Sequence, residues 1–155
     1  MADREHRYHV TVEWTGNKGQ GTESYKAYDR EFNVLAEAKT AIAGSSDPAF
    51  LGNASRWNPE EMLLASASAC HKLWYLHLCA EAGISVESYL DKAEGTMMEA
   101  RQGRFTQILL RPQITLRAGD DIELAKALHH KAHEQCFIAN SLNFPIVCEP
   151  QIKHA

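Results

Sequence analysis

The chain has 155 residues, a hydrophobic fraction of 45% and a formal net charge of −4, with a sequence pI near 6.0. A chain of this length is expected to form one domain, here residues 1–155, and its acidic balance argues against a nucleic acid partner. The N-terminal residues lack the apolar core of a signal peptide and no apolar run approaches a membrane span, so we expect a cytoplasmic protein without a membrane partner.

The first third of the chain predicts β-strands. Residues 6–14 alternate between apolar and polar side chains, which is typical of a half-buried strand. A glycine-containing turn follows, a second strand is expected from about Ser24, and residues 39–43 suggest a short third strand.

Residues 57–79 predict one long helix. Asn58 is a favourable N-cap, Pro59 suits the first helical position, and Gly83 is expected to end the helix. The residues between these signals are apolar or small nearly all round, which is typical of a helix that is buried on most of its faces. Cys70 lies in the middle of this helix.

The second half of the chain predicts strands around another helix. Residues 84–98 and 105–116 are expected to pair as a hairpin, residues 120–139 form a helix that begins with a capping box at Asp120, and residues 145–152 form a last strand. Strand runs separated by two helices favour an α+β fold in which antiparallel sheets pack on two central helices.

The four cysteines have neither zinc-ribbon nor Cys-x-x-Cys spacing, so each has to be judged by its surroundings. Cys79 and Cys148 lie among apolar residues and are expected to be core residues. Cys70 is followed by a histidine and a lysine, which could lower the pKa of its thiol, but a buried helical cysteine is more often inert. The residues alone leave the reactivity of Cys70 and Cys136 open.

A histidine pattern in the second helix supports a different hypothesis. His129, His133 and Cys136 are spaced i, i+4 and i+7, so they share one helical face. With His71 or Cys70 they could bind zinc or iron. A histidine pair with this spacing is often only a polar flank of an amphipathic helix. A non-catalytic metal-binding or small-molecule-binding dimer is therefore the alternative function.

Two segments around the cysteines resemble one known family. Residues 58–65 have the sequence NPEEMLLA and lead through an alanine- and serine-rich turn to Cys70. This arrangement resembles the reactive-cysteine segment of the OsmC/Ohr family of thiol peroxidases. Residues 132–142, which contain Cys136, resemble the second-cysteine segment of that family. The expected order of strands and helices matches the family as well.

The resemblance implies a cysteine-based peroxidase that acts on organic hydroperoxides and requires neither a cofactor nor a metal. Cys70 would be the peroxidatic nucleophile and form a sulfenic acid. Cys136 would condense with that sulfenic acid to a disulfide, which an external dithiol reduces. The resemblance also implies an intertwined homodimer with its sites at the interface.

Relatives hold an activating arginine with the glutamate that matches Glu60. Other residues occupy the family's arginine positions in this chain, so Arg56 and Arg30 are the expected substitutes. Glu60 precedes Cys70 by ten residues, which corresponds to ~15 Å along an unbroken helix. A bent helix, a spanning arginine or a partner chain would therefore have to connect them.

Overall fold

A computed structural model describes residues 3–155 of the chain. These residues form nine β-strands and three α-helices and have an α+β fold, which confirms the expected fold class. The chain divides into two compact units, Met1–Met62 and Leu63–Ala155. None of the described helices is long and apolar enough to cross a membrane.

The first unit contains one antiparallel sheet with the strand order β1-β2-β3. Its strands are β1 (Thr11–Trp14), β2 (Phe32–Leu35) and β3 (Ile42–Gly44). β1 is shorter than the strand expected from residue 6, and its residues are exposed rather than half-buried. The alternating pattern therefore produces an apolar face that the described chain leaves open to solvent.

Helix α1 (Pro59–Glu81) begins and ends where the local signals place it. The side chain of Asn58 accepts a hydrogen bond from Glu61 N at 2.8 Å, and the Glu61 carboxylate accepts one from Asn58 N at 3.1 Å. This is a reciprocal capping box. Gly83 follows the helix with φ of +75°, the left-handed conformation that favours glycine.

Burial of α1 differs from the expectation of a helix covered on most faces. Within the described chain, five of its 23 residues are buried, and they form one stripe: Ala67, His71, Tyr75, Leu78 and Cys79. The remaining apolar residues of the helix are half-buried or exposed because the chain packs against one face only.

The second unit contains two mixed sheets of three strands each. One has the order β4-β7-β9 and is built from β4 (Val86–Asp91), β7 (Pro112–Leu116) and β9 (Gln151–His154). The other has the order β5-β6-β8 and is built from β5 (Glu94–Met98), β6 (Arg104–Leu110) and β8 (Ile146–Cys148). In each sheet the first two strands pair antiparallel and the third pairs parallel.

These sheets correct the expectation of an antiparallel architecture and of longer strands. Residues 84–98, 105–116 and 145–152, expected as single strands, are each divided in two, and the halves enter different sheets. Pro112 is the first residue of β7, where a residue without an N–H group is tolerated, and Pro150 separates β8 from β9.

The second helix is also divided. Helix α2 (Ile122–Gln135) is followed by the short α3 (Phe137–Asn140), because Cys136 between them has an extended backbone with φ of −67° and ψ of 111°. The N-cap of α2 is Asp121 rather than Asp120. Asp120 instead accepts hydrogen bonds from Ser85 N at 2.7 Å and from the Arg117 guanidinium at 2.9 Å.

The core of the second unit joins α1 to α2. Ala125 and Ala132 are fully buried, and their small side chains permit close approach of the two helices. The Tyr75 hydroxyl donates a hydrogen bond to the Ala125 carbonyl oxygen at 3.1 Å. Ile114 and Leu116 of β7 pack in the same cluster. This packing sets the buried stripe of α1 against α2, where the histidines of both helices meet.

Candidate functional site

Cys70 lies half-buried on α1, one turn before Trp74. Residues four apart share one face of a helix, so both side chains lie on the same side of α1. The Trp74 ring packs edge-on against Phe137, with 5.5 Å between the ring centroids. This face of α1 therefore meets the junction between α2 and α3.

Cys136 occupies that junction and is 1% exposed. Its Sγ accepts a hydrogen bond from Ala139 N at 3.4 Å, so the thiol caps α3. The pKa of Cys136 is raised to about 11, mainly by burial and further by the hydrogen-bonded thiol of Cys70, while the N–H of Ala139 acts in the opposite direction. The two thiols thus lie side by side, and both are reduced.

Arg56 lies half-buried in the first unit. Its guanidinium donates hydrogen bonds to the carbonyl oxygens of Gly44 at 2.9 Å and Phe32 at 2.8 Å, and to the Asn33 side chain at 3.0 Å. These bonds hold the loop before α1 against β2 and β3. Arg56 is thus engaged as a structural bridge within the single chain.

Arg30 is enclosed by two tyrosines. Its guanidinium lies 4.4 Å from the ring centroid of Tyr25 and 4.0 Å from that of Tyr28, and it donates to the backbone carbonyl oxygens of both residues. Among the described residues, neither Arg30 nor Arg56 forms an ion pair with Glu60. The expected orientation of an arginine by Glu60 is therefore not met within one chain, because backbone carbonyls occupy both guanidinium groups.

The structure also corrects the expected metal-ligand set. Within residues 3–155, one group of three or more histidine, cysteine or acidic side chains has its donor atoms within 4.8 Å of one another, and it consists of His71, His129 and Cys148. His133 and Cys136 do not belong to it. The divided helix explains the difference for Cys136, because its extended backbone breaks the i, i+7 alignment with His129.

The three side chains of this group are in mutual contact. His71 Nε2 and His129 Nδ1 are 3.0 Å apart, and Cys148 Sγ lies 3.7 Å from each of these nitrogen atoms. The histidines are 2% and 4% exposed. The ring of Tyr75 stacks on that of His129, with 3.8 Å between centroids, and so fixes the plane of the imidazole.

Burial determines the protonation states of the group. It lowers the pKa of His71 to about 4, with a further lowering from His133 and an opposing effect of Asp91. It likewise lowers the pKa of His129 to about 3. Both imidazoles are therefore neutral at pH 7. Burial raises the pKa of the Cys148 thiol to about 12.

Sequence reasoning missed Cys148 and left His71 as an optional ligand. His71 stands four residues after Ala67 and four before Tyr75, so helical spacing alone places it on the buried stripe. No comparable local signal exists for Cys148, because its neighbours in space come from α1 and α2 while its neighbours in sequence are those of a short apolar strand.

Comparisons with known proteins agree with this architecture. A family model described as OsmC-like protein matches residues 52–151. The uncharacterized protein YmaD of Bacillus subtilis is 28% identical over 162 residues, which cover 99% of this chain and 97% of that protein. An OsmC-like protein of unknown function from Vibrio cholerae has a solved structure with a TM-score of 0.86 and 28% identity, covering 95% of this chain and 100% of that one.

A second similar structure extends the comparison to a protein with a named role. The organic hydroperoxide resistance protein OsmC of Legionella pneumophila has the same fold, with a TM-score of 0.67 and 19% identity over 96% of this chain and 99% of that one. The family model covers more than half of the sequence, and the similar structures extend over nearly all of it. The expected family is therefore confirmed, and the chain belongs to the OsmC-like family.

Proposed function

We propose that this protein is a two-cysteine thiol peroxidase that reduces organic hydroperoxides, with Cys70 as the nucleophile and Cys136 as the resolving thiol. The observation that carries the proposal is the pairing of two reduced thiols from distant parts of the sequence. Membership of a family whose similar structures include proteins named organic hydroperoxide resistance proteins supports this substrate class.

The proposed reaction has three balanced steps. The Cys70 thiolate attacks the distal oxygen of the hydroperoxide, the O–O bond breaks, and the alkoxide leaves and takes up a proton as an alcohol. The resulting sulfenic acid reacts with the Cys136 thiol, so that an S–S bond forms and the sulfenic oxygen leaves as water with the thiol's proton. An external dithiol then reduces the disulfide and is itself oxidised to a disulfide.

The surroundings of Cys136 suit the second of these steps. With a pKa raised to about 11, Cys136 stays protonated at neutral pH and does not compete with Cys70 as a thiolate nucleophile. Its contact with Cys70 gives it a short path to the sulfenic sulfur.

Activation of Cys70 requires a cation near its thiolate. We assign this part to Arg56 or Arg30, oriented by Glu60. Because both guanidinium groups bind backbone carbonyls in the single chain, this assignment requires one of them to exchange partners in the assembled protein. We further propose that the assembly is a homodimer and that it works in the cytoplasm, where a reducing environment keeps both thiols free between cycles.

The test is a hydroperoxide-consumption assay with cumene hydroperoxide and a dithiol reductant. Cys70→Ser should lower the rate to that of the buffer alone, whereas Cys79→Ala, which removes a thiol elsewhere on the same helix, should keep the wild-type rate. With the dithiol reductant left out, Cys136→Ser should release about one equivalent of alcohol per chain and then stop, with a sulfenic acid that dimedone traps at Cys70. A Cys70→Ser protein as active as wild type would refute the proposal.

A further inference from the structure

A second cluster of reactive side chains lies apart from the proposed peroxidase pair. It combines His71 of α1, His129 of α2 and Cys148 of β8. Cys70 and His71 are adjacent in sequence, but consecutive residues of an α-helix point about 100° apart around the axis. Cys70 therefore belongs to the face that meets Cys136, and His71 to the buried stripe that meets α2.

The distances within the cluster match a tetrahedral metal centre. With Zn–N bonds of about 2.05 Å and Zn–S bonds of about 2.3 Å, tetrahedral angles place two nitrogen ligands about 3.3 Å apart and a nitrogen and a sulfur ligand about 3.6 Å apart. The structure has 3.0 Å between the nitrogen atoms of His71 and His129 and 3.7 Å from each to Cys148 Sγ. Shifts of a few tenths of an ångström would give all three bond lengths.

The cluster is an incomplete hydrogen-bond network. Buried polar groups in a purely structural role are as a rule fully paired. Here one hydrogen bond joins the two imidazoles, and within residues 3–155 the buried Nε2 of His129 has no hydrogen-bond partner. His71 Nε2, His129 Nδ1 and Cys148 Sγ thus converge on one another, and their polar side-chain contacts are with each other.

We propose that His71, His129 and Cys148 bind one Zn²⁺ ion through His71 Nε2, His129 Nδ1 and Cys148 Sγ. Imidazole and thiolate donors are the common ligands of zinc in proteins, and three protein ligands leave the fourth position open. When the ion binds, its bonds to the two nitrogen atoms replace the hydrogen bond between the imidazoles. The imidazole that donated this hydrogen bond then carries its proton on its other ring nitrogen. The Cys148 thiol releases its proton to solvent as the Zn–S bond forms.

The surroundings of the cluster suit such an ion. The three ligands come from three different elements, α1, α2 and β8, so the packing of these elements holds the donor atoms together. The ion would balance the charge of the Cys148 thiolate. A cleft of ≈ 270 Å³, lined by His129 and Cys148 and also by His133 and Lys126, gives solvent access to two of the three ligands. The fourth metal position would face this cleft.

The site uses none of the residues assigned to the peroxidase reaction, so either proposal can fail without the other. The test uses untagged protein that has been stripped with a chelator and is kept reduced. Titration with Co²⁺ should saturate at one ion per chain and give a thiolate-to-cobalt charge-transfer band, which added Zn²⁺ should abolish by displacement. Zn²⁺ should also raise the melting temperature of the wild-type protein.

Variants locate the ion. Cys148→Ser, which nearly preserves the side-chain volume, should lose the charge-transfer band and the thermal shift, and His129→Gln should weaken Zn²⁺ binding by about 100-fold or more. The matched control is His77→Gln, an exposed histidine on the same helix as His71, which should bind as wild type does. Circular dichroism should show that each variant is folded.

Three results would overturn the site. These are the absence of saturable Zn²⁺ or Co²⁺ binding by folded wild-type protein, unchanged binding in both Cys148→Ser and His129→Gln, and loss of the charge-transfer band in Cys136→Ser with its retention in Cys148→Ser. The last result would place the ion at the Cys70 and Cys136 pair instead.

Discussion

Cys136 has a raised pKa for two separable reasons, burial and the adjoining Cys70 thiol. Burial removes the water that would stabilise a thiolate, and Cys70 adds a second sulfur whose interactions favour the protonated form of Cys136. The N–H of Ala139 offsets part of this effect, since it hydrogen-bonds to the Cys136 sulfur. Cys136 therefore stays protonated at neutral pH.

The raised pKa of Cys136 predicts how the alkylation of its thiol depends on pH. In the reduced, folded protein the iodoacetamide reaction of Cys136 should keep accelerating up to about pH 11, because only the thiolate reacts and its folded-state pKa lies near that value. In denaturant the rate should level off near pH 9.0, which is the ordinary pKa of a cysteine thiol. Peptide mass spectrometry of samples quenched at each pH would measure both profiles.

Two variants separate the effect of burial on the Cys136 pKa from the effect of the Cys70 thiol. Cys70→Ala should move the Cys136 profile to lower pH while leaving it above the denatured one, because the effect of burial remains. Cys79→Ala should leave the profile in place. A folded-state profile that levels off at the denatured value would show that burial does not suppress the Cys136 thiolate.

The motifs around Cys70 and Cys136 predict a cysteine pair, whereas no local pattern predicts the second cluster. Without these motifs, the sequence leaves the reactivity of Cys70 and Cys136 open. The sequence predicts a core position for Cys148, because its apolar strand neighbours are the only local information about it. Its contact with two histidines depends on how β8 pairs with β6, which no short segment encodes.

The ends of α1 are predictable from the sequence because their signals are local. The capping box of α1 joins two residues three positions apart, and the left-handed glycine lies two residues beyond the helix. Strand pairing was less predictable, because the choice between sheets depends on distant partners. The break at Cys136 also lacks a glycine or proline signal, so residues 120–139 looked like one helix.

The capping box of α1 gives a stability prediction. Asn58→Ala should lower the free energy of unfolding by about 0.5–2 kcal/mol, since the N–H of Glu61 loses its acceptor. Urea denaturation followed by circular dichroism would measure the change. Asn143→Ala, at an exposed position outside the helices and strands, is the matched control and should change stability little. Equal stability of Asn58→Ala and wild type would mean that the cap contributes nothing to folding.

Several large apolar side chains of the described chain are exposed to solvent. Leu73 of α1 is 63% exposed and Phe137 of α3 is 70% exposed, and the apolar residues of β1 are open to solvent as well. Large exposed apolar surfaces on soluble folds mark sites of association. The order of strands and helices predicts the α+β class. The hydrophobic pattern of one chain does not show whether a second chain covers these apolar surfaces.

We therefore predict that the protein is a homodimer in solution. Light scattering coupled to size-exclusion chromatography should give twice the chain mass of 17.4 kDa. Leu73→Glu should increase the monomer fraction by placing a charge on the apolar face. Gln102→Glu, which adds the same charge in the exposed turn between β5 and β6, should leave the dimer intact. A wild-type protein that elutes at the mass of one chain would contradict this prediction.

The parallel third strands of the second unit have a consequence for folding order. β8 and β9 are separated by Glu149 and Pro150 only, yet each completes a different sheet. Neither sheet is complete until residues 146–154 have paired with β6 and β7, which lie much earlier in the sequence. Folding should therefore have a late, cooperative step, and a cut between residues 145 and 146 would remove a strand from both sheets at once.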